Sequence, residues 1–141
     1  MKLLDFIKNG NVRKSSPDIE LTKSLVKTAK DDLSFLSMIN FSEKSARKLV
    51  ANYYDVLRSV LEAISSEKGY KIYLHEAFVY FLKESGEEVL SEKFDRFRRI
   101  RNSINYYGKT ISVAESKEIV EDIKRAIDYL IKKYLDNNDT K

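Results

Sequence analysis

The fold class of this chain is decided by residues 43–66, EKSARKLVANYYDVLRSVLEAISS. Apolar side chains recur in this stretch every three or four residues, which is the spacing of one face of an α-helix. That face consists of Leu49, Tyr53, Leu57, Val60, Leu61 and Ile64. Ser42 precedes the stretch as an N-terminal cap, and Gly69 follows it as a C-terminal stop. The pattern therefore predicts one long amphipathic helix.

The same spacing extends over most of the remaining chain. It predicts three more long helices, over 17 to about 39, 88–105 and 113 to about 134, a short helix over 75–83 and a short amphipathic turn over 2–8. Ser16-Pro17 begins the first long helix as N-cap and first helical residue, and Ser112 with Glu115 forms a capping box before the last. No segment alternates with period two for long enough to predict a strand. We therefore expect an all-α protein, an antiparallel up-down four-helix bundle with an extra short helix, followed by a frayed polar tail, DNNDTK.

Composition excludes several classes of protein. A chain of 141 residues without an internal repeat or linker is predicted to form a single domain, 1–141. The absence of cysteine and the presence of one histidine exclude disulfides, thiolate metal sites and multi-histidine zinc sites, so we expect no metal and no cofactor. The glycine-rich phosphate loops of the Rossmann and P-loop kinds are missing as well. Because there is neither a membrane-spanning apolar run nor a signal peptide, we expect a cytoplasmic protein without a membrane partner.

Positive charge is concentrated in one segment. Residues 93–109, KFDRFRRIRNSINYYGK, hold six basic residues and one acid, a net +5, whereas the other 124 residues hold 20 basic and 21 acidic residues, a net −1. One interpretation is a solvated, arginine-rich helix face. The other is a binding surface for phosphates, because the planar guanidinium group matches phosphate oxygens.

Helix geometry places these arginines relative to the core. At 100° per residue, the side chains that face the core together are Phe94, Phe97, Ile100 and Ile104. Arg98, Arg101 and Asn105 follow one flank of that stripe. Arg101 therefore lies at the border of the core, where we expect a structural partner or a ligand to hold it.

The order of these segments resembles the HEPN domain, the higher eukaryote and prokaryote nucleotide-binding family. The resemblance is carried by RRIRNSINYYG at 98–108, YDVLRSVLEAI at 54–64, GYK at 69–71 and HEA at 75–77. The family motif is an arginine, often followed by a polar residue, and then a histidine after four to six residues. The resemblance covers roughly residues 12–135, so it implies one HEPN-like helical domain.

The resemblance implies a function and partners. HEPN domains form helical homodimers in which the arginine motifs of two chains line one cleft. Active members are metal-independent RNases, in which the histidine acts in acid–base chemistry and the arginine orients the scissile phosphate. Many prokaryotic members are the toxin half of a toxin–antitoxin pair with a minimal nucleotidyltransferase. In some of these pairs the partner adenylylates a tyrosine near the motif.

This chain departs from the motif at the histidine. Four residues separate Arg101 from Tyr106, which stands where the family has histidine. A phenol has a pKa near ~10 against ~6.5 for imidazole, so it is a poor general base at neutral pH. We therefore expect an RNA- or nucleotide-binding homodimer with weak or absent nuclease activity. Its predicted binding residues are Arg98, Arg101, Asn102, Tyr106 and Tyr107.

Two alternatives stay open. One is an active metal-independent endoribonuclease that uses Arg101 with Tyr106, or with His75 reaching across the dimer. The other is a structural helical adaptor whose arginines only pair with carboxylates. For His75, the only imidazole, the sequence favours an exposed or capping position at the start of the short helix.

Two further groups of residues have more than one interpretation. The spacing of Asp55, Arg58 and Glu62 is that of an ion-pair ladder on one helix. The resemblance implies the alternative, a polar cluster under the Arg101 cleft in which Glu62 or Asp55 holds an arginine in place. Tyr106 and Tyr107 follow the basic segment at a helix exit. There they are candidates for stacking on a base or for accepting an adenylyl group.

Overall fold

A computed structural model describes residues 1–136, so the tail predicted to fray lies outside the described residues from 137 onward. Its elements in chain order are α1 Leu3–Lys8, β1 Val12–Lys14, α2 Ile19–Leu36, α3 Ala46–Glu67, β2 Tyr70–Ile72, α4 Ala77–Glu84, α5 Glu88–Tyr107 and α6 Val113–Leu130. A π-helical turn, Ile131–Leu135, continues α6. The all-α prediction is confirmed.

Contacts between helix ends establish the up-down order of the four long helices. The Ser66 hydroxyl, at the end of α3, donates to the Asp18 carbonyl at the start of α2, so these helices are antiparallel. Arg96 in α5 pairs with Asp122 in α6, whereas Glu87 before α5 contacts Tyr134 after α6. The helices α5 and α6 are therefore antiparallel as well.

The long helix α3 is the centre of the bundle. It packs against α2, α5 and α6, and its predicted apolar face is buried. Tyr54, adjacent to that face, is also fully buried and stacks on Phe94 of α5 with ring centroids 5.5 Å apart. The bundle thus fixes α5 against α3 along the side that carries Arg98 and Arg101.

The prediction that the chain has no strand is wrong. β1 and β2 form an antiparallel pair with Val12 opposite Ile72 and Lys14 opposite Tyr70. Strands of three residues are too short for an alternating pattern to show in the sequence. The pairing continues into Gly69, whose carbonyl accepts from the Ser15 amide at 2.8 Å. Gly69 has a φ of +87°, and a Cβ there would lie 2.7 Å from the Ser15 oxygen, so only glycine fits.

The predicted N-terminal caps of the helices agree with the structure in part. Ser112 is confirmed as the N-cap of α6, because its hydroxyl accepts from the Glu115 amide at 3.0 Å. The predicted capping box is only half present within residues 1–136, because the Glu115 carboxylate accepts from the Ser112 hydroxyl and not from the Ser112 amide. The predicted start of α2 at Ser16-Pro17 is wrong: Asp18 is the N-cap and accepts from the Leu21 amide at 3.0 Å. The residues before Asp18 instead extend the connection from the small sheet. Ser42 caps the turn that leads into α3 by accepting from the Ser45 amide.

Two sequence predictions concern apolar residues: the N-terminal turn and the absence of a membrane-spanning segment. The turn over 2–8 is helical, and its Leu3 and Phe6 are buried against the bundle. Within residues 1–136, no helix combines the length and the apolar character that crossing a membrane requires.

Candidate nucleic-acid interface

Three arginines meet between α3, α5 and the turn before α4. We call this group the arginine cluster and define it as Tyr54, Asp55, Arg58, His75, Arg98 and Arg101. The helix α3 supplies three of its members and α5 supplies two, whereas the imidazole comes from the loop that follows β2. Residues far apart in the sequence are thus brought to one place.

Arg101 is the best-defined member of the arginine cluster. Its side chain is 18% exposed, and its Nη2 lies 3.5 Å from Oδ1 of Asp55. The guanidinium carbon also lies 5.6 Å from the centroid of the Tyr54 ring, within the range of a cation–π contact. The Nε atom is buried and has no hydrogen-bond acceptor among residues 1–136. Arg101 is therefore held in position but keeps an unused donor.

Arg98 and Arg58 are recessed in the same way. Arg98 is 17% exposed and donates from Nη2 to Asp95 at 2.8 Å. Arg58 pairs with Glu62 one turn along α3, and its buried Nε has no acceptor in the described part of the chain. The carboxylates therefore orient both guanidinium groups without occupying every N–H.

The two carboxylates of the predicted polar cluster on α3 contact different arginines. Asp55 lies against Arg101, whereas Glu62 pairs with Arg58 rather than with an arginine of α5. Burial raises the pKa of Asp55 and outweighs the lowering by Arg101 and Arg58. Partial burial therefore destabilises the charged form of Asp55.

His75 lies inside the arginine cluster. Its Nδ1 is 3.3 Å from the Tyr54 hydroxyl, and its side chain is half-buried. Burial, followed by the charges of Arg58, Arg101 and Arg98, lowers the pKa of His75 to about 4. The imidazole is therefore neutral at neutral pH.

The expectation that His75 is exposed or caps a helix is wrong. Glu76, not His75, is the N-cap of α4, and it makes no capping hydrogen bond through its side chain. The loop after β2 instead turns His75 toward α3, 21 residues from Tyr54 in sequence. Burial also raises the pKa of Tyr54 against the lowering by the three arginines, so its hydroxyl stays protonated.

The basic segment of the sequence does not act as one surface. Lys93 and Arg96 both pair with Asp122 of α6, at 3.1 Å and 2.7 Å. Asp95 accepts from Arg99 at 3.0 Å as well as from Arg98. Carboxylates thus offset much of the +5 charge, and Arg98 and Arg101 are the recessed members of the segment.

The predicted residues at the end of α5 lie apart from these contacts. Tyr106 and Tyr107 are 70% and 84% exposed, and neither makes a hydrogen bond or ring contact with another residue of the described chain. Asn102 is half-buried on α5. Gly108 ends the helix with a φ of +64°. The two tyrosines therefore form an exposed pair at the helix exit.

Sequence reasoning missed the part that Tyr54 plays and misplaced His75. Tyr54 resembled other core tyrosines because it is next to the apolar face of α3. For His75, the sequence showed only a single histidine after a glycine-containing loop. That pattern does not predict that His75 contacts α3.

Apart from the arginine cluster, the described residues form a ligand-sized cavity but no metal site. Among residues 1–136, no group of three histidine, aspartate or glutamate side chains is placed to hold a metal ion. A cavity of about 680 Å³ lies between α2 and the ends of α3 and the π-helical turn. Its lining includes Val26, Leu135 and three lysines of α2 but no member of the arginine cluster. The arginine cluster therefore lies outside this cavity.

In comparisons with family models, curated proteins and solved structures, nothing matches this chain. A function is therefore argued from two sources. One is the geometry of the arginine cluster, and the other is the sequence resemblance to HEPN domains.

Proposed function

We propose that this chain is a HEPN-like protein that binds RNA or nucleotide phosphates at the arginine cluster. The observation that carries the proposal is the pair of buried Nε–H groups on Arg58 and Arg101 without an acceptor in residues 1–136, next to an Asp55 Oδ1 that is also buried and accepts no hydrogen bond there. A buried donor without an acceptor is unfavourable, and charge-assisted hydrogen bonds to phosphate oxygens are strong. A phosphate at this position, with local side-chain adjustment, supplies the missing acceptors.

The end of α5 extends this proposed interface. Tyr106 and Tyr107 offer exposed rings on which bases of a single strand stack, and Lys109 adds an exposed charge next to them. Asn102 supplies an amide on the same helix. Phosphate binding at the arginines and stacking at the tyrosines are the two contributions expected of a protein that binds single strands.

The proposal includes the partners that the HEPN resemblance implies. A homodimer brings the arginine motifs of two chains to one cleft, and a minimal nucleotidyltransferase is the second member of a toxin–antitoxin pair. The exposed hydroxyls of Tyr106 and Tyr107 are accessible to an adenylylating partner. Incubation with such a partner and ATP, followed by mass spectrometry, tests this part: one added adenylyl group on either tyrosine supports it.

Nuclease activity is proposed to be weak or absent. Tyr106, at the position of the family histidine, makes no contact with Arg101 within residues 1–136. One observation favours an active endoribonuclease as a second candidate: His75 lies beside Arg101 in the same chain. Its pKa of about 4 makes it a weak base at neutral pH, which favours binding without efficient cleavage.

A structural adaptor is favoured by a different observation. Lys93, Arg96, Arg98, Arg99 and Arg101 all lie within ion-pair distance of a carboxylate. If these pairs are the whole purpose of the arginines, the protein has no affinity for nucleic acid and forms a dimer that salt does not weaken.

The test is retardation and cleavage of labelled single-stranded RNA in EDTA across a salt series. We expect retardation that weakens steeply with salt, with little cleavage. The double variant Arg98→Ala/Arg101→Ala is expected to bind about tenfold or more weakly and with a shallower salt dependence. Lys23→Ala/Lys27→Ala is the matched control, because it removes two charges from α2 instead and should bind like the wild type.

Circular dichroism of each variant separates lost binding from lost folding. Equal RNA affinity in the wild type and in a folded Arg98→Ala/Arg101→Ala protein contradicts the proposed interface. Cleavage that Arg101→Ala abolishes assigns the protein to the endoribonucleases instead.

A further inference from the structure

His75 is held through one ring nitrogen only. The Tyr54 hydroxyl lies 3.3 Å from Nδ1, and no other hydrogen bond to the imidazole is made within residues 1–136. Tyr54 is fully buried, and its hydroxyl makes this single hydrogen bond in the described chain. A protonated phenol that donates to Nδ1 leaves the proton of a neutral imidazole on Nε2. His75 then carries an N–H donor at Nε2 that makes no hydrogen bond within residues 1–136.

The surroundings of His75 explain why the ring is neutral. From α3 it faces Tyr54, Asp55 and Arg58, and from α5 it faces Arg98 and Arg101. Three guanidinium groups disfavour a further positive charge, although each is paired with a carboxylate: Arg101 with Asp55, Arg58 with Glu62 and Arg98 with Asp95. A neutral donor is therefore the form of the imidazole that this position favours.

A bound phosphate changes that balance. Its negative charge would lie among the same guanidinium groups that oppose protonation of His75. An anion at this distance stabilises an imidazolium ion. Phosphate binding and proton uptake by His75 are thus expected to favour each other, because coupling between two binding events is reciprocal.

We propose that His75 is a fourth phosphate-binding residue of the arginine cluster, with its Nε2–H donating to a non-bridging oxygen of the RNA phosphate that Arg98 and Arg101 bind. Tyr54 is the positioning residue that fixes the ring through Nδ1. The inference rests on the proposed function, and it adds that RNA binding takes up a proton at this one side chain. The proton enters at Nδ1, so the Tyr54 hydroxyl, which donates to the neutral ring, then accepts from Nδ1–H of the imidazolium.

The first experiment is an NMR titration of the imidazole in the full chain. Because the sequence has a single histidine, its ring signals need no assignment by mutation. Without RNA, the ring is expected to titrate near the value of about 4 that its surroundings impose. With a short single-stranded RNA bound, we expect the midpoint to rise by about one unit or more. An unchanged midpoint in the RNA-bound protein would overturn the inference.

The second experiment measures RNA affinity from about pH 7.5 to about pH 4.5 for the wild type and for His75→Gln, because the effect of a midpoint that starts near 4 appears only toward the acid end of this range. Each unit by which bound RNA raises the pKa of His75 is worth up to about tenfold in affinity at low pH. We expect the wild-type affinity to increase several-fold over this range and the variant to lack most of that increase. Parallel pH profiles for the two proteins would contradict the role of His75.

A third variant, Tyr54→Phe, removes the hydroxyl but keeps the stacked ring on Phe94. Since Nδ1 then loses its donor, we expect weaker RNA binding and a changed imidazole titration, whereas a purely structural tyrosine would leave both unaltered. The failures are distinguishable. A folded wild type that binds no RNA at any pH overturns the proposed function and this inference together, and RNA binding with no effect of His75→Gln or Tyr54→Phe overturns only this inference.

Discussion

The two ends of α5 differ in how completely their buried polar groups are hydrogen-bonded. At its start, Glu87 is 8% exposed and accepts hydrogen bonds from Tyr129, Lys133 and Tyr134. We call these four residues the Glu87 clamp. Burial alone would raise the pKa of Glu87, but the hydrogen bonds from Lys133, Tyr134 and Tyr129 outweigh it and lower that pKa. The Glu87 clamp therefore stabilises the charged form of its carboxylate.

The arginine cluster, further along the same helix, is less completely satisfied. Arg58 and Arg101 have buried Nε–H groups without an acceptor in residues 1–136, and the charged form of His75 is destabilised. Native proteins satisfy most buried polar groups, so an exception needs a reason. The comparison supports the proposal that the arginine cluster binds a ligand, whereas the contacts of the Glu87 clamp are complete within the fold.

The largest expected effect is on the Glu87 clamp. Glu87→Ala removes an acceptor from two tyrosine hydroxyls and one ammonium group, and we expect the free energy of unfolding to fall by about 2 kcal/mol. RNA affinity should not change, because the Glu87 clamp lies at the other end of α5. Urea unfolding measures the loss, with Glu88→Ala, an exposed neighbour, as the control. Equal stability of the two variants would show that the Glu87 clamp contributes little.

The second prediction is that His75 and Glu87 change the free energy of unfolding in different pH ranges. The folded pKa of His75 is about 4 against an ordinary 6.5, so between these values the unfolded chain binds more protons. The free energy of unfolding should therefore fall as pH is lowered from 6.5 toward 4. The contribution of Glu87 is present above its ordinary pKa of 4.5 and is lost as pH falls further through its lowered folded value.

Unfolding of the wild type and of His75→Gln as a function of pH measures this difference. The variant should lose most of the slope in the upper range and keep the decrease at lower pH. The raised pKa of Asp55 acts in the opposite direction, since the folded state takes up that proton first. Identical curves would mean that His75 is solvated like an ordinary surface imidazole.

The smallest expected effect concerns the exposed end of α5. Tyr106→Ala and Tyr107→Ala should each change the free energy of unfolding by less than about 0.5 kcal/mol, because neither ring is packed. Each should weaken RNA binding by about 1 kcal/mol through lost stacking. Phe35→Ala is the matched control, since that aromatic ring is also exposed but lies on α2. If all three variants bind RNA alike, the tyrosine pair has no part in binding.

The bundle was predictable from the sequence because its signals are local. The apolar spacing of α3 and the N-cap at Ser112 depend only on neighbouring residues. The small sheet was missed because its pairing joins Val12 to Ile72, sixty residues apart, through strands of three residues. Asp18 was missed as a cap because Ser16-Pro17 presented an equally local start signal.

The candidate site was predictable only where one helix determines it. The position of Arg101 at the border of the core follows from the angular spacing of α5. The contact of His75 with Tyr54 and the pairing of Arg96 with Asp122 depend on tertiary packing. Pairs within one helix, such as Arg58 with Glu62, follow from the spacing of three or four residues, whereas no pattern in the sequence predicts the pairs between helices.

The central claim is that the arginine cluster serves binding more than stability. Measuring RNA affinity and urea unfolding side by side for Arg101→Gln tests it directly. We expect RNA affinity to fall about fivefold or more, while the free energy of unfolding changes by about 1 kcal/mol or less, because Arg101 makes an ion pair of 3.5 Å but no hydrogen bond with the partly exposed Asp55. A loss of several kcal/mol in stability with unchanged RNA affinity would contradict the account and identify Arg101 as a structural residue.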